Sequence, residues 1–266
     1  MIEASLRLSP TNSYDNGYPV YFLTGKNYLY QTLFCIKSLV NASDKKFKFI
    51  LVDDGSFDQN LIKQVNNQLP NGVIILRDEI DRNLEKLIPE KDFPILHRKR
   101  KEYAHIKKLT DIHTISGGWK LVFDSDMLFW NNPKEIIDWL SKPNAPLHIV
   151  DCEQSYGYPT ALMKTLCKHE IPERVNVGII GLNSSEINWE DIEIWIKELE
   201  KQGGKSYYLE QAVSAMIIAQ SKPVVLDKKN YIVNPDKIEA NQRSGYLHHY
   251  VDVSKAYYFA NALKHF

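Results

Sequence analysis

The sequence has no excess charge of either sign: 33 Lys+Arg are balanced by 33 Asp+Glu. A chain dedicated to nucleic acid usually shows a global basic excess, so the balance argues against that class while leaving local basic patches open. No apolar run approaches the ~18 residues of a membrane-spanning helix; one of the longest, Ala212 to Ala219, is interrupted by Ser214. The opening segment MIEASLRLSPTNS holds Glu3 and no apolar stretch, so no secretory leader is expected there. Cysteine is scarce: Cys35, Cys152 and Cys167 are odd in number and show no C-x-x-C spacing. That pattern predicts a reducing, cytoplasmic compartment and no structural zinc. Repeats, low-complexity tracts and Gly/Ser-rich linkers are lacking too. One continuous domain over residues 1–266 is therefore expected, in two halves at about 18–130 and about 131–266.

What is present supports a packed core. Aromatic residues make up 11% of the chain and hydrophobic ones 44%, enough apolar area to oppose the ordering entropy that keeps polar chains disordered. Along the first half, strand and helix patterns alternate. Val20–Leu23 is a short apolar run ending at Thr24-Gly25. Tyr28–Val40 has helical spacing, Phe47–Val52 is a second strand stopped by Asp53-Asp54-Gly55-Ser56, Asp58–Leu69 is helical and Gly72–Leu76 is a third strand. This β-α-β-α-β order predicts an α/β fold with a mixed, mostly parallel central sheet flanked by helices. A polar stretch, Arg77 to Glu102, precedes a helix expected from Lys101 to about Ile115. Strands are expected at Lys120–Phe123 and Leu147–Val150, with Pro133 opening the helix Lys134–Leu140 between them. In the second half the pattern predicts a strand at Val177–Leu182, a helix Trp189–Lys201 capped by Asn188, an apolar helix Tyr207–Ala219 and a short strand at Pro223–Leu226.

In open α/β sheets, ligands gather beyond the carboxyl ends of the strands. Acids recur there: Asp53-Asp54, Asp124/Asp126 and Asp151. Asp124-Ser125-Asp126 is the one strict Asp-x-Asp of the chain, between the apolar runs KLVF and MLFW. Two carboxylates on one strand-end turn can share a hard divalent cation, which in turn favours substrate phosphates. The competing view is a solvated turn, since Asp is favoured in turns anyway. Upstream lies a basic cluster, Arg98, Lys99, Arg100, Lys101, Lys107 and Lys108. On one helix, Lys101, His105 and Lys108 would share a face by their spacings. Lysines aimed at a diphosphate would stabilise its charge, solvated surface is the ordinary alternative, and Arg98–Lys108 is also a candidate peripheral contact with anionic lipid at the inner membrane face. His97, His105, His113, His148, His169 and His265 have no metal-ligand spacing. Of the pair His248-His249, alternation along a strand turns at most one toward a site.

Taken together, these residues resemble a nucleotide-sugar-dependent glycosyltransferase of the GT-A fold, from about Val20 to Lys255. Val52-Asp53-Asp54-Gly55-Ser56 is similar to the VDDGS segment common in family 2, whereas KLVFDSDMLFW (Lys120 to Trp130) is similar to the D-x-D segment of family 8, the glycogenin and galactosyltransferase-like group. Three more matches favour family 8: Lys108-Leu109 about sixteen residues before Asp124, the Asn-x-Gly strand Asn176-Val177-Gly178, and His249-Tyr250 with Lys255 six positions after the histidine. Glu210-Gln211 looks like the family's Asp-Gln pair. Where that family carries a glycine and a Pro-Trp around the terminal lysine, Asp252 and Ala256-Tyr257 stand here.

The resemblance implies a transferase moving a sugar, most often from a UDP-sugar, to a glycan, lipid-linked or other hydroxyl acceptor, as in polysaccharide synthesis. It implies retention of configuration under family 8 and inversion under family 2, with Glu210 or Asp151 as base. Asp124, Asp126 and His249 would hold Mn²⁺ or Mg²⁺. Leu23, Thr24, Gly25, Tyr28, Asp53, Asp54 and Ser125 would surround the nucleotide, with Tyr28 a candidate to stack on the base, and Lys255 would neutralise the leaving diphosphate. Lys108, Asp151, Asn176, Glu210 and Gln211 would serve the sugar and acceptor side. Two other classes compete. A sugar-nucleotide nucleotidyltransferase needs a glycine-rich phosphate loop, for which Thr24-Gly25-Lys26-Asn27 is too sparse. A non-catalytic nucleotide-sugar-binding module would not need a complete metal set.

Overall fold

A computed structural model describes residues 1–266. Its strands are β1 (Tyr18–Thr24), β2 (Phe47–Asp53), β3 (Val73–Ile75), β4 (Trp119–Phe123), β5 (Met127–Phe129), β6 (Leu147–Val150), β7 (Val175–Asn183), β8 (Val224–Val225), β9 (Tyr231–Val233) and β10 (Leu247–His249). Its α-helices are α1 (Ile2–Ser5), α2 (Leu29–Ala42), α3 (Gln59–Gln68), α4 (Arg77–Leu87), α5 (Pro94–Glu102), α6 (Lys107–His113), α7 (Lys134–Ser141), α8 (Thr160–Cys167), α9 (Trp189–Gly203), α10 (Leu209–Ile218), α11 (Lys237–Gln242) and α12 (Lys255–His265). The fold is mixed α/β, with a mostly parallel central sheet flanked by helices. No helix is long and apolar enough to cross a membrane.

The chain divides into two compact units. The first comprises Met1–Leu76, Leu121–Pro143 and Leu226–Phe266. Here β3, β2, β1 and β4 lie side by side, all parallel, and Thr24 at the end of β1 is in register with Asp53 at the end of β2. β2 and β4 are apolar because both faces are covered, with Phe49, Ile50, Leu51, Leu121 and Val122 all buried, whereas β1 alternates, burying Val20, Phe22 and Thr24 and leaving Tyr21 and Leu23 partly exposed. Phe22 and Phe123 meet edge to face with centroids 5.9 Å apart, which orients the end of β4 against β1. Helix α3 starts one residue later than the sequence pattern places it: Asp58 is its cap, accepting hydrogen bonds from the backbone N–H of Asn60 and Leu61. A second, three-stranded sheet in the order β5-β10-β9 follows. The sequence pattern does not mark its strands, which are defined by their pairing with one another.

The second unit comprises Arg77–Lys120 and Asn144–Val225. In it β6 pairs antiparallel with β7 and parallel with β8. The polar stretch after β3 holds two helices, α4 and α5. The first has the opposed acidic first turn (Asp78, Glu79) and basic last turn (Lys86) that complement a helix dipole. The second begins at Pro94, and the Glu193 carboxylate accepts from the N–H groups of Ile95 and Leu96.

The expected continuous helix from Lys101 to Ile115 does not form. Tyr103 is extended (φ −140°, ψ 97°) and separates α5 from a 3₁₀ turn (Ala104–Ile106) that leads into α6. Lys101, His105 and Lys108 therefore do not share one helical face. Tertiary bonds hold Tyr103 there: its hydroxyl donates to the Tyr207 carbonyl and accepts from the Glu210 N–H. The basic cluster is also matched by acids. Lys99 is buried against Glu200 and Glu102, Arg98 reaches Glu200 at 3.6 Å, Arg100 bonds Asp111 and Asp81, and Lys101 bonds Glu90.

Candidate active site

Three strand ends of the first unit converge at its carboxyl edge. At the end of β1, Thr24 is fully buried and its hydroxyl is 2.7 Å from that of Thr32 on α2. The Thr32 hydroxyl is 2.8 Å from Ser125 of the Asp-Ser-Asp turn. This buried chain of three hydroxyls ties β1, α2 and the turn after β4 together. Ser125 thus points inward and is buried, while Asp124 and Asp126 on either side of it are partly exposed. Thr32 carried no signal in the sequence, since its role depends on a neighbour 93 residues away.

The Asp53-Asp54-Gly55-Ser56 segment builds its own turn. Asp53 is buried and one of its oxygens accepts from the N–H of Gly55 (2.7 Å) and Phe57 (3.0 Å). Asp54 accepts from Ser56, whose hydroxyl also accepts from the Lys26 N–H at 2.8 Å. Gly25 makes room for this turn: a Cβ there would stand 2.0 Å from the Asp54 carboxylate, which would have to move. Leu23 and Thr24 present backbone to this edge, with the Thr24 carbonyl accepting from the Asp54 N–H at 2.9 Å. Tyr28, which caps α2, is 54% exposed.

The metal-ligand candidates come together across the second sheet. β10 pairs antiparallel with β5, setting His249 opposite Met127, and the Tyr250 N–H donates to the Asp126 carbonyl at 2.9 Å. His249 Nε2 consequently lies 3.2 Å from Asp126 and 3.9 Å from Asp124, and the ligand atoms of all three residues fall within 4.8 Å of one another. Its neighbour His248 faces away, with Nε2 2.6 Å from the Ser244 carbonyl and Nδ1 3.1 Å from the Tyr250 hydroxyl. Burial pushes the His248 imidazole down to about 4, so it stays neutral. Burial alone would raise the Asp126 carboxyl, but the charge and hydrogen bond of His249 and the charge of Lys255 outweigh it and hold it below the ordinary carboxylate range. Two hard oxygens and one imidazole nitrogen form a donor set that suits a divalent cation of the Mn²⁺ or Mg²⁺ kind.

Lys255 is exposed at the first turn of α12. The segment that delivers it contains Asp252 at φ 45°, in the left-handed region that glycine adopts freely. An aspartate thus holds a backbone conformation that favours glycine. Asp252→Gly is expected to stabilise the protein by about 1 kcal/mol, a rise of ~2 °C in Tm by calorimetry; a lower Tm would show that the aspartate side chain contributes more than its strained backbone costs.

A second polar cluster lies wholly in the second unit. Asp151, just after β6, is buried, and one oxygen accepts from both Asn176 of β7 and Gln211 of α10, each at 3.0 Å. Its other oxygen accepts from the Cys152 N–H at 2.8 Å. Lys108 on α6 donates to the Val177 carbonyl (3.0 Å) and stands 3.7 Å from Glu210. Residues that the sequence spreads over a hundred positions are therefore neighbours: the hydrogen-bonded trio Asp151, Asn176 and Gln211, and the Lys108–Glu210 pair joined to it through Val177 and the Glu210-Gln211 step.

Neither a known protein-family profile nor a curated protein sequence matches the chain. Among solved structures, its fold is similar to that of the apo bifunctional glycosyltransferase WbbM, with a TM-score of 0.59 and 14% identity over 96% of this chain and 51% of that one. The chain thus spans about half the length of that enzyme. It is also similar to the galactosyltransferase LgtC in complex with donor and acceptor sugar analogs (TM-score 0.59, 13% identity, 92% and 95% of the two chains). A third likeness is to the apo form of mouse xyloside xylosyltransferase 1 (TM-score 0.57, 12% identity, 90% and 97%). These likenesses establish the GT-A-type fold of glycosyltransferases.

Proposed function

We propose that this chain is a metal-dependent glycosyltransferase that moves a hexose from a nucleoside diphosphate sugar, with UDP as the nucleotide, to a hydroxyl acceptor with retention at the anomeric carbon. The observation that carries this is the Asp124/Asp126/His249 set at the carboxyl edge of a parallel sheet, in a fold shared with such enzymes. Breaking the bond between the anomeric carbon and a phosphate oxygen leaves a diphosphate, whose charge must be neutralised in the transition state. Asp124, Asp126 and His249 would hold a divalent cation, which would supply part of that neutralisation. Lys255 supplies more, at a helix N-terminus whose dipole also favours a phosphate. The exposed ring of Tyr28 stacks on the base, and Asp53 and Asp54 bind the nucleoside next to Leu23, Thr24 and Gly25. Asp151, Asn176 and Gln211 orient the sugar hydroxyls, and Lys108 and Glu210 serve the sugar and the acceptor.

The bonding of the carboxylates favours retention. Both Asp151 oxygens already accept hydrogen bonds, and Glu210 is engaged by Lys108 and Ser214. Neither is set up as the strong base that inversion needs; in a retaining transfer the departing phosphate oxygen takes the acceptor proton.

A thermal-shift panel of UDP, GDP, ADP and CMP with Mn²⁺ or EDTA tests the donor side. UDP is expected to raise Tm by several degrees with the metal and by nothing measurable with EDTA, because binding to the folded state alone stabilises it. Absence of metal-dependent stabilisation by every nucleotide would sink the proposal.

A further inference from the structure

A hydroxyl close to an aspartate readily bonds its carboxylate, as two places in this chain show. The Ser56 hydroxyl donates to Asp54, two positions before it, and the Thr110 hydroxyl donates to its neighbour Asp111 at 2.8 Å. Ser125 stands between two aspartates, Asp124 and Asp126, yet its hydroxyl is turned to Thr32 on α2, 2.8 Å away. Three contacts of Thr32 decide where the protons lie. Its hydroxyl donates to the Tyr28 carbonyl at 3.2 Å, since a carbonyl can only accept, and it lies 2.7 Å from Thr24 as well as 2.8 Å from Ser125. A hydroxyl has one proton and two lone pairs. With the Thr32 proton directed at Tyr28, its two lone pairs accept, one from Thr24 and one from Ser125. Thr24 and Thr32 are fully buried and Ser125 is buried beside them, so water has little access to these bonds.

We infer that Thr32 is a positioning residue of the metal set: by accepting the Ser125 proton it keeps that hydroxyl off Asp124 and Asp126 and leaves both carboxylates open to a cation. The inference rests on the proposed metal-dependent transfer and adds to it a residue that touches neither cation nor substrate. Without the Thr32 oxygen, the Ser125 hydroxyl is a buried donor with no partner, and such a donor turns to the nearest acceptor. The flanking carboxylates are one residue away on either side, and their charge makes them stronger acceptors than a neutral hydroxyl. A cation would then have to break that bond before taking the oxygen. Groups that act behind a metal's ligands commonly change its affinity by about 10- to 100-fold. The oxygen of Thr32 matters here rather than its methyl group: serine offers the same donor and acceptors, and valine has nearly the same shape without them.

The test titrates Mn²⁺ alone into wild type and variants and reads the free ion from its electron paramagnetic resonance signal, which needs neither nucleotide nor turnover. Thr32→Val is expected to bind Mn²⁺ about tenfold more weakly than wild type, and Thr32→Ser to stay within about threefold of it. The double variant Thr32→Val/Ser125→Ala is expected to return to within about threefold of wild type, because the competing hydroxyl is gone. A merely structural role of Thr32 would not be rescued by removing a second hydroxyl. Thr32→Ala is a second variant without the hydroxyl, for use where valine fits the buried position poorly, and near-UV circular dichroism checks that each affinity is read on folded protein. Unchanged affinity in Thr32→Val, or a double variant as weak as Thr32→Val, overturns the inference. Asp126→Ala separates the two proposals. Mn²⁺ bound by wild type, lost in Asp126→Ala and indifferent to Thr32 removes the role of Thr32 and leaves the metal set standing, whereas a wild type that binds no Mn²⁺ removes both.

Discussion

Replacing Asp126 by alanine is expected to lower sugar transfer on the order of 10³-fold, about 4 kcal/mol of transition-state stabilisation, while leaving the fold intact. The carboxylate is only partly exposed, 20% of its side-chain surface, and lies 3.2 Å from His249. Burial would favour its neutral form, yet His249 and Lys255 keep it acidic, so it is available as an anionic ligand at neutral pH. Its backbone contribution, the carbonyl that accepts from Tyr250, survives the substitution, so β10 keeps its place. The metal-dependent thermal shift by UDP should disappear with the activity. Asp126→Asn retains one oxygen ligand and should fall between the two. Transfer at the wild-type rate by Asp126→Ala would remove this residue from the metal set and, with it, the observation on which the functional proposal rests.

Acid is expected to destabilise the protein through His113, a residue outside both polar clusters. It ends α6, the helix that carries Lys108, and its Nδ1 lies 2.8 Å from the Ser184 hydroxyl, which also receives the Lys120 ammonium at 2.6 Å. Since the ammonium can only donate, Ser184 accepts from Lys120 and donates to a neutral His113. Burial, and then the charge of Lys120, push the His113 imidazole down to about 3. The unfolded chain binds a proton near pH 6.5 and the folded one only near 3, so the unfolded state holds more protons in between and stability falls as pH drops through that window. The loss from this one group reaches about 3 kcal/mol at pH 4.5. Burial also lowers Lys120, to about 8, so its contribution has the same sign at the alkaline end: stability rises from pH 8 toward 10.5. Urea unfolding between pH 4.5 and 7.5 should therefore show a steeper acid limb for wild type than for His113→Asn, which can accept from Ser184 but does not titrate. Parallel limbs would place the acid sensitivity elsewhere.

Legibility in the sequence follows the range of the physics. The ends of β1, β2, β4 and β6 were marked by apolar runs stopped at Thr24-Gly25, Asp53-Asp54, Asp124 and Asp151, because packed strands demand apolar residues and the strand ends demand polar ones. The cap at Asn188 was equally local, a side chain bonding N–H groups two and three residues ahead. The break at Tyr103 was not legible, since it depends on Tyr207 and Glu210, a hundred residues away. The three-residue strands β5, β9 and β10 were hidden for a related reason: their pairing, not their composition, makes them strands.

The sequence by itself determined the α/β alternation, the polar strand ends and the single Asp-x-Asp, all set by residues within one element of each other. It narrowed the histidine pair to one inward-facing member without saying which. The tertiary structure alone decided that His249 faces the carboxylates, that a Thr24–Thr32–Ser125 hydroxyl chain orients the turn, and that Lys108, Asp151, Asn176, Glu210 and Gln211 are one neighbourhood. It also decided that the Arg98–Lys101 charges are matched by acids. Each of these depends on groups far apart in the chain, whose hydrogen bonds and ion pairs exist only once the apolar core has brought them within about 3 Å of each other.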